Sequence, residues 1–141
     1  MELPGQVALM TGATGFVGRR TAQRLMLAGM RVRGLVRRLV ELPGLGRALG
    51  DITDAATVAP AAVGAHVVVH GAAVLHRATC AEAMRGNVED TRIVLEAARH
   101  AGCKRLIHLS TMSGDENEDS TGIVHTGYGA FTHTVRELLT L

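Results

Sequence analysis

Apolar and polar positions follow two different periods along the chain. Short runs rich in Val, Leu, Ile, Ala and Met have the length of strands and come at Gln6–Thr11, Met30–Val36, around Ala48 and Leu49, His66–His70 and Arg105–Ser110. Longer runs with helical spacing come at Phe16–Ala28, from Asp54 to about Val63, from about Ala81 to Ala101 and from about Tyr128 to Leu139. Such alternation is typical of βαβ units. The sequence therefore predicts an α/β fold of three layers, with a doubly wound parallel sheet of about five strands.

Gly, Pro and short polar residues mark the connections between these runs. The stretch Arg38–Arg47, which contains Pro43, predicts a loop ahead of the third strand, and Gly114–Thr121 predicts an acidic surface loop. Pro60 lacks an amide donor, so we expect the last turn of the second predicted helix to be irregular.

Length, composition and charge narrow the class of protein. A chain of 141 residues fits one domain. Hydrophobic residues make up 47% and aromatic residues 2%, so we expect a core of aliphatic side chains. The net charge of +2 does not favour nucleic acid as a partner, and no apolar stretch or leader pattern predicts a membrane span or a signal peptide. We therefore expect a cytoplasmic protein.

Cysteine and histidine positions indicate neither a disulfide nor a metal site. Cys80 and Cys103 lack the CxxC spacing, which favours two reduced thiols. The seven histidines are scattered without ligand spacing on any one predicted element, so we expect no metal.

A glycine-rich turn between the first strand and the first helix carries the clearest chemistry. Its pattern is Gly12-x-x-Gly15-x-x-Gly18. The first glycine allows a tight turn, the second lets the backbone approach a pyrophosphate, and the third lets the helix pack close to the sheet. The helix amino end then attracts phosphate. A Rossmann fold with a bound dinucleotide is predicted, in which the phosphate-binding residues are Gly12, Thr14, Gly15, Phe16, Val17 and Gly18.

The end of the second predicted strand distinguishes NADP from NAD. An acidic residue there would bind the ribose hydroxyls of NAD, whereas this chain has Arg37 and Arg38, which can pair with the 2′-phosphate of NADP. We expect NADP in preference to NAD, the alternative being that Arg37 is an ordinary surface arginine and either cofactor binds. Asp51 and Ile52 are expected to flank the adenine, although Asp51 could instead cap a turn.

Five segments in the right order resemble the extended short-chain dehydrogenase/reductases, the group of NAD-dependent epimerases and dehydratases. These segments are Thr11–Gly18, Gly50–Asp54, Val69–Ala73, Gly86–Thr91 and Lys104–Thr111. The resemblance covers nearly the whole chain and implies the same fold. It also implies that Gly71, Ala72 and Ala73 form a cofactor loop. The hydroxyl that polarises the substrate would be that of Thr111, with Ser110 and Ser113 as alternates.

The resemblance is incomplete at the catalytic motif. Family members use Tyr-x-x-x-Lys, in which tyrosine exchanges a proton with the substrate and lysine assists it. Tyr128 matches the tyrosine, but Thr132 stands in the lysine position, and Lys104 is the only lysine in the chain. The family's C-terminal substrate segment is also expected to be absent, so that residues 1–141 form a single NAD(P)-binding Rossmann domain.

Three interpretations follow from these observations. The chain is an NADP-preferring oxidoreductase or epimerase with an unknown small-molecule substrate, a cofactor-binding or redox-sensing module without catalysis, or a fragment of a longer enzyme. The resemblance further implies a possible homodimer formed through the helices near 81–101 and 128–139.

Overall fold

A computed structural model describes residues 3–72 and 88–109. Its strands are β1 Val7–Thr11, β2 Arg31–Val36, β3 Gly46–Leu49, β4 Val67–His70 and β5 Arg105–His108. Its helices are α1 Phe16–Leu27, α2 Ala55–Ala62 and α3 Asp90–His100.

The described strands form one parallel sheet in the order β3-β2-β1-β4-β5. The chain moves outward from β1 through β2 to β3 and then returns to place β4 on the other side of β1. The winding direction therefore reverses between β1 and β4, which is the place where open α/β sheets bind ligands. The predicted doubly wound parallel sheet is confirmed.

Side chains that alternate along the strands fill two cores, one on each face of the sheet. On one face Ala8 and Met10 of β1 pack with Ala22 of α1. On the other face Leu9 of β1 packs with Val58 of α2 and with α3. The central strands β1 and β4 are buried at every position, as expected for parallel strands covered on both sides. The aliphatic, three-layer core predicted from composition is present in this part of the chain.

The third strand is longer than the sequence pattern predicts. Gly46 and Arg47 were assigned to the preceding loop, but they pair with Arg33 and Gly34 of β2. The prediction was wrong because β3 is an edge strand of four mostly exposed residues, so it lacks the apolar run that reveals a buried strand.

The chain divides into two compact units. One unit comprises Met1–Ala72 and Ile93–Leu109, and it contains the whole described sheet. The other comprises Ala73–Arg92 and Ser110–Leu141, of which only 88–92 belong to the described residues. The assignment of 1–141 to a single domain stays a prediction. Within the described ranges, no helix combines the length and apolar character needed to cross a membrane.

Candidate dinucleotide-binding site

The glycine-rich turn joins β1 to α1 at the carboxyl edge of the sheet. Gly12 has a φ of +73°, a left-handed conformation that favours glycine, and its carbonyl accepts a hydrogen bond from the Gly15 amide at 3.0 Å. Helix α1 then begins at Phe16, with Gly15 as its N-cap. The strand, turn and helix expected from the sequence therefore follow one another directly.

Close backbone contacts explain the glycines at both ends of this turn. A Cβ at Gly12 would lie 2.7 Å from the carbonyl carbon of Gly71, in the loop after β4. A Cβ at Gly18 would collide with the carbonyl oxygen of Gly12. Since no side chain fits at either position, the turn, the loop after β4 and α1 are packed backbone to backbone.

The amino end of α1 faces outward from this packed turn. Gly15 has no side chain with which to cap the helix, and the first amides of any α-helix lack an intrahelical acceptor. Phe16 and Val17 are 78% and 55% exposed, so their side chains lie outside the core. The guanidinium of Arg20 lies 5.0 Å from the centroid of the Phe16 ring and adds positive charge near the helix start. Exposed residues at the helix start, the helix dipole and this charge suit an anionic ligand.

The two arginines proposed to discriminate NADP from NAD follow β2 at the same edge. Thr11 at the end of β1 is in register with Leu35 of β2, so Arg37 and Arg38 emerge beyond the strand beside the glycine turn. Both are exposed. A Cβ at Gly34 would lie 3.1 Å from the Cβ of Ala13, which places the turn directly over β2. The geometry allows these arginines to meet a group bound at the turn.

Asp51 and Ile52 follow β3 and belong to a tight turn. The carboxylate Oδ1 of Asp51 accepts hydrogen bonds from the amide and the hydroxyl of Thr53, each at 3.0 Å. Ile52 is half-buried and packs against the core on the α2 face. Asp51 therefore has the turn-capping role that was the alternative interpretation, and its contact with adenine stays a prediction.

The loop after β4 is fastened to the end of β1 by a buried threonine. The Thr11 hydroxyl oxygen accepts hydrogen bonds from the amides of Gly71 and Ala72, both at 3.2 Å. It also lies 2.6 Å from Nδ1 of His70. Thr11 and His70 are 1% and 0% exposed.

A second imidazole lies beside His70. His108 on β5 is in register with His70, and the two ring centroids are 5.4 Å apart. Burial lowers the pKa of His70 to about 3, and the proximity of His108 makes a smaller contribution in the same direction. Burial lowers the pKa of His108 to about 4. Both rings are therefore neutral at physiological pH.

The structure thus brings together the glycine turn, the two arginines and the first two residues of the predicted cofactor loop. Ala73 and the predicted catalytic residues lie outside the described residues; these are Tyr128, Thr111, Ser110 and Ser113. Sequence reasoning missed the pairing of Thr11 with His70, although both residues stood in quoted motifs. Thr11 and His70 are each the last residue of a predicted strand. Because the carboxyl ends of parallel strands meet at one edge of the sheet, this position was the signal that could have indicated their proximity.

Fold and site together define an α/β protein of the Rossmann type, because the glycine turn lies where the winding of the parallel sheet reverses. The sequence model of the NAD dependent epimerase/dehydratase family matches residues 8–137. The chain belongs to that family, and the resemblance to extended short-chain dehydrogenase/reductases is confirmed.

Curated relatives with this similarity include redox enzymes. The chain is 38% identical over 108 residues to a 4-hydroxy-2-methyl-3-oxo-4-farnesyl-3,4-dihydroquinoline-1-oxide ketoreductase of Stigmatella aurantiaca, a match that covers 72% of this chain and 32% of the relative. It is 34% identical over 116 residues to a 3-beta-hydroxysteroid dehydrogenase of Mycolicibacterium neoaurum, covering 74% and 32% of the two chains. The chain therefore spans about a third of the length of these curated relatives.

Solved structures match almost the whole length of the chain. The crystal structure of gox2253 matches with a TM-score of 0.82 at 30% identity, covering 96% of this chain and 48% of that one. A short-chain dehydrogenase/reductase superfamily protein from Agrobacterium tumefaciens, crystallised with bound NAD, matches with a TM-score of 0.76 at 27% identity, covering 95% and 44%.

Proposed function

We propose that this chain binds a nicotinamide dinucleotide at the glycine turn and forms the cofactor-binding part of an oxidoreductase or epimerase. The observation that carries the proposal is the backbone packing at Gly12 and Gly18, which sets the exposed first residues of α1 at the end of β1, where the winding of the sheet reverses. The pyrophosphate would accept hydrogen bonds from the first amides of α1. The family, and the NAD bound by the Agrobacterium neighbour, support this assignment.

The same proposal makes NADP the preferred cofactor. Arg37, assisted by Arg38 or Arg19, would pair with the 2′-phosphate through charge-assisted hydrogen bonds. All three arginines are exposed. The support is the position of Arg37 and Arg38 beyond β2 and of Arg19 in the first turn of α1, together with the absence of a carboxylate from the segment Leu35 to Arg38.

Cofactor binding is tested by titrating the chain with NADPH and NADH, read by nicotinamide fluorescence or by calorimetry. The key variant is Gly15→Val, which adds a side chain where the pyrophosphate would approach. The φ of −75° at Gly15 is open to any residue, but its Cβ would lie 3.3 Å from the Gly12 carbonyl oxygen, a tight contact that requires a small backbone shift, so binding is compared only after thermal unfolding shows that the variant is folded. Gly46→Ala on β3 is the matched control, where a Cβ meets only ordinary contacts. We expect Gly15→Val to abolish binding of NADPH and NADH, and we expect Gly46→Ala to bind them as the unsubstituted chain does.

Absence of binding by the unsubstituted chain would refute the proposal.

Cofactor preference is tested with Arg37→Ala. Loss of a charge-assisted bond should weaken NADPH binding by about tenfold or more and leave NADH binding unchanged. Arg31→Ala is the control, since Arg31 is an exposed arginine at the amino end of the same strand. An equal loss in both variants, or for both cofactors, would contradict a contact with the 2′-phosphate.

The chemistry proposed for the complete site is transfer of hydride between the cofactor and a carbonyl or alcohol carbon. The names of the ketoreductase and hydroxysteroid dehydrogenase relatives support that substrate class. The cofactor supplies or accepts the hydride when bound. Tyr128 and Thr111 would hold the substrate oxygen, with Tyr128 exchanging its proton.

A second candidate function is cofactor binding without catalysis. Thr132 favours it, because it stands where the family motif has lysine. Turnover distinguishes the two candidates: oxidation of NADPH by a panel of carbonyl compounds, lost in Tyr128→Phe, supports the enzyme. NADPH binding that raises the melting temperature without turnover supports the module. In both cases we propose a cytoplasmic location, which fractionation of cells expressing the tagged chain would check.

A further inference from the structure

The end of β1 holds a buried polar cluster built on Thr11 and His70, two side chains to which the proposed function assigns no cofactor contact. Oγ1 of Thr11 accepts from the Gly71 and Ala72 amides and lies 2.6 Å from Nδ1 of His70. The Gly71 amide also reaches the Thr11 carbonyl at 3.2 Å. We call Thr11, His70 and these two amides the Thr11–His70 latch.

The donors around the Thr11 hydroxyl favour one direction for the Thr11–His70 hydrogen bond. A hydroxyl oxygen has two lone pairs and one proton. The Ala72 amide donates to this oxygen, and the Gly71 amide divides its proton between the same oxygen and the Thr11 carbonyl, so the hydroxyl proton is best placed toward Nδ1 of His70, which accepts it as the unprotonated nitrogen of a neutral ring. The lowered pKa of His70 agrees with this assignment. A proton on Nδ1 would compete with both amides for the lone pairs of the hydroxyl oxygen, whereas an unprotonated Nδ1 accepts the hydroxyl proton and orients the hydroxyl that holds the loop.

We infer that His70 is a positioning residue for the dinucleotide, acting through Thr11 on the backbone of Gly71 and Ala72. The inference rests on the proposed function, because it deepens the account of the same site. His70 is not proposed to touch the cofactor.

Packing links the latch to the phosphate-binding turn. A Cβ at Gly12 would lie 2.7 Å from the Gly71 carbonyl carbon and 2.8 Å from the Ala72 nitrogen, so this loop is one wall of the turn. A displacement of Gly71 or Ala72 must therefore disturb Gly12 or open a gap beside it. Thr11 and His70 lie 59 residues apart in sequence and are almost fully buried, which gives the latch a fixed position in the sheet.

The experiment compares His70→Leu, which removes the acceptor, with His70→Asn, whose side-chain oxygen can accept from Thr11 near the former Nδ1 position. His66→Leu is the matched control. Nδ1 of His66 accepts from the Val7 amide at 3.2 Å, at the opposite end of the same strand pair. Thr11→Val and Thr11→Ser form a second pair, in which only serine keeps the hydroxyl.

Two readouts are measured on each folded variant: the dissociation constant for NADPH, and hydrogen exchange of the Gly71 and Ala72 amides without cofactor. Loss of one oriented hydrogen bond should weaken binding about five- to tenfold in His70→Leu, with recovery in His70→Asn and no change in His66→Leu. Thr11→Val should weaken binding similarly, Thr11→Ser should recover it, and Thr11→Val with His70→Leu should be no weaker than Thr11→Val alone.

The exchange measurement separates failure of this inference from failure of the proposed function. Hydrogen exchange of the Gly71 and Ala72 amides should be faster in His70→Leu, with the Val68 amide as the internal reference. In His70→Asn the exchange rate should return to that of the unsubstituted chain, whether or not any cofactor binds. If the unsubstituted chain binds neither cofactor, the proposed function and the positioning role both fail. This holds even if slow hydrogen exchange of the Gly71 and Ala72 amides shows that the Thr11–His70 latch is formed. If it binds NADPH and His70→Leu leaves affinity unchanged, or His66→Leu lowers affinity equally, only the positioning role is overturned.

Discussion

At the residue scale, Gly18 shows how the absence of a side chain lets α1 pack against the glycine turn. Its position is fully buried on α1, and a Cβ there would overlap the Gly12 carbonyl oxygen, a backbone atom that cannot rotate away. We expect Gly18→Ala to lower the free energy of unfolding by about 1–3 kcal/mol through overpacking. Denaturant unfolding measures this, with Gly46→Ala as control. Equal stability of the two variants would show that α1 can move away from the turn without cost.

The residues of the site differ in how far the sequence reveals them. Gly12, Gly15 and Gly18 are predictable because they share one strand-turn-helix unit, in which the left-handed turn at Gly12 and the contact of Gly18 with Gly12 are local, whereas the contact of Gly12 with Gly71 is not. Thr11 and His70 are not, because each alone is an ordinary strand-end residue. Only the β1–β4 register, which pairs Thr11 with His70, gives them a common role. Short sequence patterns carry no information about the pairing register of strands that are distant in the sequence.

At the scale of elements, one arginine joins β2 to the end of α2. Nη1 of Arg33 donates to the carbonyls of Ala61 and Val63, at 2.6 and 3.0 Å. These carbonyls belong to the last turn of a short helix that contains Pro60, where the Val63 amide donates to the Pro60 carbonyl. A cation at a helix carboxyl end also complements the helix dipole. Arg33 therefore stabilises an end that the sequence predicted to be irregular.

We expect Arg33→Met to lower the free energy of unfolding by about 1 kcal/mol, because two carbonyl acceptors lose their donor while the apolar stem is retained. Arg31→Met is the matched control, since it replaces an exposed arginine two residues earlier and should change stability by less than about 0.5 kcal/mol. Urea unfolding of both variants measures the difference. A loss in Arg33→Met no larger than in Arg31→Met would contradict the capping role.

The sequence predicts a strand well where the burial of that strand requires a recognisable run of apolar residues. The buried strands β1 and β4 appear in the sequence as unbroken apolar runs, and their observed bounds differ from the predicted ones by one residue. The edge strand β3 was only half recognised, because pairing with β2 rather than burial defines it. The doubly wound parallel sheet followed from βα alternation and the family resemblance, whereas no local pattern specified which side chains meet across the sheet.

At the scale of the whole molecule, the buried His70 makes stability depend on pH. Its pKa is about 3 in the folded chain against an ordinary value of 6.5, so between these values the unfolded chain binds more protons than the folded chain. The free energy of unfolding must therefore fall as pH falls below 6.5, with His70 contributing up to about 1.4 kcal/mol per pH unit. Above pH 6.5 the ring is neutral in both states and contributes nothing. His108 acts in the same direction, between 6.5 and about 4.

Denaturant unfolding measured from about pH 7.5 down to about pH 5.5 tests this dependence above the range in which most carboxylates titrate. We expect His70→Asn to flatten the dependence, because asparagine does not titrate, while keeping an acceptor for Thr11. His66→Asn is the matched control, since it makes the same replacement at an exposed histidine, and an equal flattening there would contradict the assignment of the slope to His70. A slope equally steep in His70→Asn and the unsubstituted chain would mean that His70 can take up a proton without unfolding, so that Thr11 and the loop after β4 rearrange around a charged ring.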